Sequence, residues 1–458
     1  MPKGADILIT GGYGTVGRRV AADLAPEYPG RLVVAGRSAE KAARLAAELG
    51  HGVRGRRVDV GEPASIEAAL EGVGVVVSCI DQPEPHLLRA AIARGLAYTD
   101  IAPHLMTRRP TKAMKAEAAR TGARIVLGAG LAPGISSVLA RLGADRVGVV
   151  ESVEVGVLLS VGDSYGPASR AYLMEEIALP YAVRINGTES PMRPFGASAR
   201  VYFPRPLGER TAYLFPFSDQ VFFPETLGAR TALDPPWLGT LLSALVRLRV
   251  TAMLGRRAGA EERVQRLIGW LKRRYEGRDF YGVVVEVRGA HRSIRASLMG
   301  HGQASATAIG AAALVRALAE GEVELPGVWL AEQVVPTAPF FERLAARGMV
   351  PKIEERLAPR FRGFGMTGSF GRGRYMMTAF LRSWAGMVLI VSLAVAAFFL
   401  VAEHRVHLSG FLPYALVALF MVFHAFMHAG HGGHGGHGGH GGRSGNTENR
   451  GPTKGGER

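Results

Sequence analysis

Short apolar runs recur through the first third of the chain at Ala5 to Thr10, Leu32 to Ala35, Val73 to Ser78, Ala97 to Asp100 and Arg124 to Leu127. Runs of this length, apolar at successive positions, suit strands buried on both faces of a parallel sheet. Arg57 to Val60 reads as a further strand. Between the runs, apolar residues return at helical spacing, as at Val16, Val20 and Leu24, and again from Pro85 to Arg94. The alternation predicts an α/β fold with a doubly wound parallel sheet over residues 1–135. Beyond residue 150 the pattern becomes strand-like with turn residues between, at Val153 to Val161, Ser198 to Phe203, Thr211 to Phe217, Gln220 to Phe223, Tyr281 to Arg288 and Ser293 to Met299. Residues 136–355 are therefore expected to form a second, α+β domain for substrate binding or dimerisation, with a mostly antiparallel sheet.

Near the C-terminus the pattern changes again. Trp384 to Ala402 and Leu408 to Met427 are runs of 19 and 20 residues without Asp, Glu, Lys or Arg. Each is long enough to cross about 30 Å of hydrocarbon as a helix, so residues 383–428 are expected to form a two-helix transmembrane hairpin. A basic juxtamembrane linker, 356–382, precedes it, and a disordered His/Gly-rich tail, 429–458, follows.

The first apolar run ends in Gly11-Gly12-Tyr13-Gly14-Thr15-Val16-Gly17, in which Gly12, Gly14 and Gly17 make G-x-G-x-x-G. The first glycine permits a tight turn, the second lets backbone approach a pyrophosphate, and the third lets the next helix pack on the strand. The phosphates would meet the helix N-terminus. Such a turn between a strand and a helix is that of a Rossmann dinucleotide site, formed here by Gly11 to Gly17. The second strand ends in Gly36-Arg37-Ser38, where an NAD enzyme would present Asp or Glu to the ribose hydroxyls. Arg37, with Ser38 and Lys41, instead suits a 2′-phosphate, so the expected cofactor is NADP. A solvated surface arginine is the other reading of Arg37. Strand counting places Asp59 near the adenine and Cys79 near the nicotinamide.

Lys plus Arg number 55 and Asp plus Glu 39, a formal charge of +16. The excess raises a nucleic-acid partner. No zinc-finger spacing, RNP-like motif or lysine-rich tail supports one, and nucleic acid is not expected. Arg360, Arg362, Arg372, Arg374 and Arg382 precede the first apolar run, against Arg405 between the two. This bias places both ends of the hairpin, and hence the enzyme domain and the tail, on the cytoplasmic side of a membrane. The single cysteine, Cys79, excludes an internal disulfide and suits a reducing compartment. Met1 to Gly4 lead straight into the first strand without a secretory pattern. In the tail, His431, His434, His437 and His440 are spaced by two glycines each. They can surround Cu(II), Ni(II) or Zn(II) at an entropic cost, or belong to a solvated low-complexity tail. Pro236 to Leu254, followed by Val264, Leu267, Ile268 and Leu271 among Arg263, Arg266, Lys272, Arg273 and Arg274, reads as a basic amphipathic region. It suits either a membrane surface or burial in its own domain or a homodimer, and burial is favoured.

Four passages resemble the saccharopine dehydrogenase-like oxidoreductases: Ile7 to Gly17, Val75 to Cys79 with the helix to Gly95, Tyr98-Thr99-Asp100, and Gly128 to Gly134. The resemblance implies a Rossmann domain joined to an α+β domain whose sheet closes over the nicotinamide. It also implies hydride transfer at a carbon–nitrogen bond of an amino-acid-derived substrate, or on a lipid-linked one. Asp100 matches the family's tyrosine-x-aspartate position, as a cleft residue that orients substrate or relays a proton; capping the next helix is the other reading. His301 is the histidine of the second domain that can face a cleft, although such a residue is also an ordinary loop residue. Arg170, Arg184, Arg200 and Arg210 are available for substrate carboxylates. Residues 380–442 resemble short two-span bacterial membrane proteins that end in a His-Gly tail. The leading expectation is a membrane-held NADP-dependent oxidoreductase; the alternative is a non-catalytic membrane protein with an NADP-sensing domain and a metal-binding tail.

Overall fold

The computed structural model describes residues 4–357 except 83, 102–110, 164–165, 167–168, 170–176, 178–179, 186–187, 218–226 and 248–259. The expected linker starts two residues early, since Arg356 and Leu357 close the last strand of the second sheet; its remainder, the hairpin and the histidine tail, and with them His431, His434, His437 and His440, lie outside the described residues. So do Arg170 and the run from Gln220 to Phe223. Among the described residues no helix is long and apolar enough to cross a membrane, and no three side chains group as metal ligands.

The first half alternates as its pattern predicts. In order it runs β1 (Asp6–Thr10), α1 (Gly17–Leu24), β2 (Leu32–Gly36), α2 (Ala39–Leu49), β3 (Arg54–Arg57), α3 (Pro63–Ala69), β4 (Val73–Ser78), α4 (His86–Ala93), β5 (Ala97–Asp100), α5 (Lys112–Thr121), β6 (Arg124–Leu127) and α6 (Ile135–Val147). The second half runs β7 (Ser152–Ser160), β8 (Tyr181–Ile185), β9 (Thr188–Met192), β10 (Ser198–Phe203), β11 (Gly208–Leu214), β12 (Leu227–Asp234), α7 (Pro236–Arg247), α8 (Ala260–Arg274), β13 (Phe280–Arg288), β14 (Arg292–His301), α9 (Gln303–Glu320), β15 (Gly327–Leu330), α10 (Ala331–Val334), α11 (Thr337–Ala345) and β16 (Lys352–Leu357).

The first sheet has the order β15-β6-β5-β4-β1-β2-β3, every pair parallel. Its central strands are apolar on both sides because both faces are covered. Ile7, Ile9, Val34, Val75 and Val77 enter one core with Val20 and Leu24 of α1 and Leu314 of α9. Leu8, Val33, Val76 and Ile125 enter the other with Leu87 and Leu88 of α4. Two boundaries differ from expectation. The third strand is Arg54–Arg57, not Arg57 to Val60: as an edge strand it is polar and exposed, so it carries no apolar signature. The sheet is also not confined to residues 1–135, since β15 pairs with β6 and α9 returns to cover one face.

The second sheet has the order β10-β11-β12-β7-β13-β14-β16. β12 pairs with β7 in parallel and the other pairs are antiparallel, so it is mixed. α6 covers one face, with Gly143 against Val287 and Ile294. On the other, Phe203 and Leu207 fold over Leu158, Ala212, Ala232 and Val284. Gly156 and Gly282 leave room for that fold: a Cβ there would lie 2.8 Å from Val201 and 2.9 Å from Leu207. The sheet therefore curls back on itself.

Candidate functional site

In the first sheet the strand order reverses between β1 and β4, which opens a crevice at the carboxyl ends of the strands. The glycine turn lies there. Gly11 has φ +67°, and the Gly12 amide donates to the Ala35 carbonyl at 2.9 Å, tying the turn to β2. A Cβ on Gly12 would fall 2.9 Å from the Ile9 carbonyl oxygen, and one on Gly17 2.3 Å from that of Gly11. Gly12 is thus required by the turn and Gly17 by helix packing, while Gly14 is exposed, as close approach of a phosphate demands. Val16 stands at the N-cap of α1 without a side-chain cap, which leaves backbone amides at the helix start for an anion.

Tyr13 takes a place that motif reading did not foresee. Its ring covers Gly36, where a Cβ would come within 2.6 Å of it, and its hydroxyl accepts the Ser38 amide at 3.1 Å. The tyrosine of the glycine turn thereby holds the turn that carries Arg37. Arg37 is exposed and makes no ion pair among the described residues. Ser38, expected to assist a phosphate, is chiefly a helix cap: its Oγ accepts the Lys41 amide at 3.2 Å and donates to Glu40 Oε2 at 2.7 Å. That bond from Ser38 holds the Glu40 carboxyl below its ordinary range. Replacing Tyr13 with Phe leaves the Ser38 amide without this partner. We expect NADPH binding to weaken by about fivefold, the worth of one hydrogen bond, with less effect on NADH, as read by fluorescence titration.

Asp59 shapes the loop after β3: its Oδ1 accepts the Gly61 amide at 3.0 Å and its own amide donates to Ser65 Oγ at 2.9 Å. The neighbouring Val58 amide donates to the Gly36 carbonyl, so the loop lies beside the Arg37 turn. Cys79 follows β4, its amide on the Thr10 carbonyl and its own carbonyl 3.1 Å from where a Cβ on Gly11 would lie. Burial, with the Asp100 charge added, pushes its thiol up to about 12, so it serves as a wall and not a nucleophile.

Asp100 closes β5 and is fully buried. Neither carboxyl oxygen makes a hydrogen bond of ordinary geometry. Burial pushes its pKa up to about 7, the Gly128 amide and Tyr98 hydroxyl pulling it down in part and Asp81 raising it. Around it lie buried polar groups that are only partly satisfied. Gln82 Nε2 donates to Ser78 Oγ at 3.1 Å and to the Tyr98 hydroxyl at 3.3 Å, while Gln82 Oε1 and Thr99 Oγ1 have no partner. The Gly128 to Gly134 loop turns back tightly beside Asp100: the Ala129 amide donates to the Asp100 carbonyl, and a Cβ on Gly134 would lie 2.3 Å from the Gly130 carbonyl oxygen. These facts account for the Tyr98-Thr99-Asp100 and Gly128 to Gly134 passages. Asp100 caps no described helix through its side chain.

His301 does not join this group. Its side chain is 64% exposed, its Nδ1 lies 2.6 Å from Asp279 Oδ1, and its ring packs 4.5 Å from that of Phe280. Arg200 pairs with Glu209 at 3.3 Å, and Arg210 donates to the Glu209 carbonyl; the Arg184 side chain lies outside the described residues. The second domain does reach the crevice by another route. Beyond β7, Asp163 Oδ2 accepts the Gln303 amide at the start of α9, and a Cβ on Gly166 would stand 3.9 Å from Thr15 Oγ1 of the glycine turn. Gln82 carried no sequence signal, because only the fold of the loop after β4 turns it inward.

Residues 7–126 match the saccharopine dehydrogenase NADP binding domain. Residues 390–449 match DUF2933, a protein family of unknown function. No curated protein matches the chain. Among solved structures, apo saccharopine dehydrogenase (L-Glu forming) from Saccharomyces cerevisiae is 16% identical over 77% of this chain and 100% of its own, with a TM-score of 0.55. Pen from Bacillus thuringiensis is 17% identical over 27% of this chain and 50% of its own, with a TM-score of 0.23. A 3-ketoacyl-(acyl-carrier-protein) reductase from Brucella melitensis, complexed with NADH, is 21% identical over 28% and 75%, with a TM-score of 0.21. The yeast enzyme shares the fold of the described chain. The crevice therefore belongs to an NADP-binding domain of the saccharopine dehydrogenase type, over residues 7–126.

Proposed function

We propose that the chain is an NADP-dependent reductase, held at the cytoplasmic face of a membrane, that transfers hydride to or from a carbon–nitrogen bond of an amino-acid-derived substrate or to a lipid-linked one, with Asp100 as its proton donor and acceptor. The residues suit the cofactor: open amides at the start of α1, an exposed Arg37 with no ion pair among the described residues where a carboxylate would repel a 2′-phosphate, and an apolar wall at Cys79 and Ile80. The bound nicotinamide supplies or accepts the hydride.

The observation that carries the proposal is a buried carboxyl that makes no hydrogen bond of ordinary geometry, with the Gly128 amide and Tyr98 hydroxyl beside it and the unsatisfied Gln82 Oε1 close by, at the carboxyl end of the sheet. Such groups are uncommon without a ligand to complete them. With a pKa near 7, Asp100 holds a proton on its carboxyl at neutral pH and can pass it to the nitrogen of a substrate as that nitrogen gains charge. In the reverse direction the ionised carboxylate takes the proton back. Gln82 and Tyr98 hold the neighbouring hydroxyl and amide in place, and the Gly128 to Gly134 loop shields the carboxyl from water.

Membrane attachment is supported by the two charge-free runs and the arginines before the first of them. It would matter most for a lipid-linked substrate. The direct test is oxidation of NADPH by the full chain with cyclic imines, amino acid–aldehyde pairs and lipid-linked carbonyl or enoyl compounds. Turnover with any class, abolished by Asp100→Asn, supports the proposal. Tight NADPH binding without turnover across all three would point to the non-catalytic, sensing alternative.

A further inference from the structure

The basic helix α8 divides its residues between two faces. Leu271 is buried, so the helix packs into its own domain. Arg266, Trp270, Arg273 and Arg274 fall on one outward stripe, spaced four, three and one residues apart, and all four are exposed in part or in full. Trp270 is 53% exposed. Just past the helix, the Tyr275 hydroxyl accepts the indole N–H of Trp237 at 3.1 Å, and Trp237 is itself 45% exposed. The guanidinium groups of Arg274 and Arg278 stand 5.6 and 5.9 Å from the Tyr275 ring. Arg266, Arg273 and Arg274 are thus the helical neighbours of the exposed Trp270, and Arg274 and Arg278 flank the tyrosine that holds the exposed Trp237, with Asp234 3.9 Å from Arg278.

Two of the chain's four tryptophans are therefore held in the open among arginines. Indole rings with one polar edge, next to guanidinium groups, match the headgroup layer of a bilayer, where tryptophan partitions and arginine meets lipid phosphate. Single-stranded nucleic acid also takes cations and aromatics, but it needs rings open for stacking. Here the Tyr275 ring is flanked by its own arginines, and the indole of Trp237 is tied to Tyr275.

We propose that the face formed by Trp270, Arg266, Arg273, Arg274 and the Trp237–Tyr275 pair docks on anionic phospholipid headgroups. This rests on the membrane attachment proposed above, and the test separates the two. The full chain carrying Trp329→Phe and Trp384→Phe keeps Trp237 and Trp270 as its only indoles. It is reconstituted into phosphatidylcholine vesicles with or without phosphatidylglycerol, each containing brominated lipid. We expect fluorescence quenching in the phosphatidylglycerol vesicles and its loss when Arg266, Arg273 and Arg274 are changed to Glu, while retention after carbonate washing is unchanged. Unquenched indoles in vesicles that retain the chain would overturn the proposal.

If carbonate strips the chain from both vesicle types, the hairpin reading alone fails, and the face is judged by low-salt sedimentation. Sedimentation with phosphatidylglycerol vesicles that weakens about fivefold for each cation removed upholds it. No sedimentation, or tighter binding to a single-stranded oligonucleotide than to these vesicles, overturns it.

Discussion

Asp100→Asn is expected to lower kcat by 10²- to 10⁴-fold, the usual worth of a positioned acid–base group, while leaving the affinity for NADPH within about threefold of wild type. The substitution keeps shape and burial but removes the proton that the carboxyl exchanges. The pH dependence follows from the same group. Asp100 is protonated in the folded chain up to about pH 7, so the wild-type rate of reduction should fall as pH rises through that value. Stability falls with rising pH as well, but over a lower range. A carboxyl raised from 3.8 to about 7 contributes stability that is full below about pH 4 and lost as pH rises towards 7, because the unfolded chain ionises first. The loss has a ceiling of roughly 4 kcal/mol. Asp100→Asn should therefore be more stable than wild type at pH 8, and the difference should vanish or reverse near pH 3. Denaturant titrations at the two pH values, with kcat measured alongside, check both. A variant that keeps wild-type kcat would remove Asp100 from the chemistry.

The second large effect is structural. Arg316, on α9, is 6% exposed at its side chain and bonds Asp23 in the last turn of α1 at 2.9 Å and Glu27 just after it at 2.7 Å. Arg347 meets the same two carboxylates, and Arg343 joins Glu320 and Glu322. This network fastens the returning helix to the helix of the glycine turn. Removing one partner of a buried pair leaves the other charges uncompensated, so Arg316→Ala is expected to destabilise the fold by about 3 kcal/mol. The hydrogen bond from Arg316 is the largest cause holding the Glu27 carboxyl below 4.5, and that from Arg343 acts likewise on Glu322. Their contribution is present above about pH 4.5 and is lost as pH falls through the lowered values. Wild-type stability should therefore drop in acid, and the Arg316→Ala curve should be flatter there. Parallel curves would show that Arg347 suffices to pair Asp23 and Glu27.

What the chain disclosed in advance follows from where each element is buried. Strands β1, β2, β4, β5 and β6 announce themselves because both faces are covered, and the glycines of the first turn because side chains there would collide with backbone. β3 gives no apolar signal, because an exposed edge strand can be Arg-Gly-Arg-Arg without penalty. β15 is four residues long and owes its place to a partner about 200 residues away, which no local period reveals. At the site, Asp100 was legible through its neighbours Tyr98 and Thr99. Gln82 was not, nor was the bond from the Ser38 amide to Tyr13, since both depend on loops folding across the sheet. His301 was an exposed residue with its own acidic partner.

Cofactor choice turns on Arg37 reading the 2′-phosphate of the dinucleotide. Calorimetric titration of the full chain with NADPH and NADH, for wild type and for Arg37→Asp, tests it most directly. A charge-assisted contact of about 2 kcal/mol predicts about 30-fold tighter binding of NADPH by wild type, with the preference erased or reversed in Arg37→Asp. Equal affinity for the two nucleotides in wild type, or no uptake of either, would contradict it.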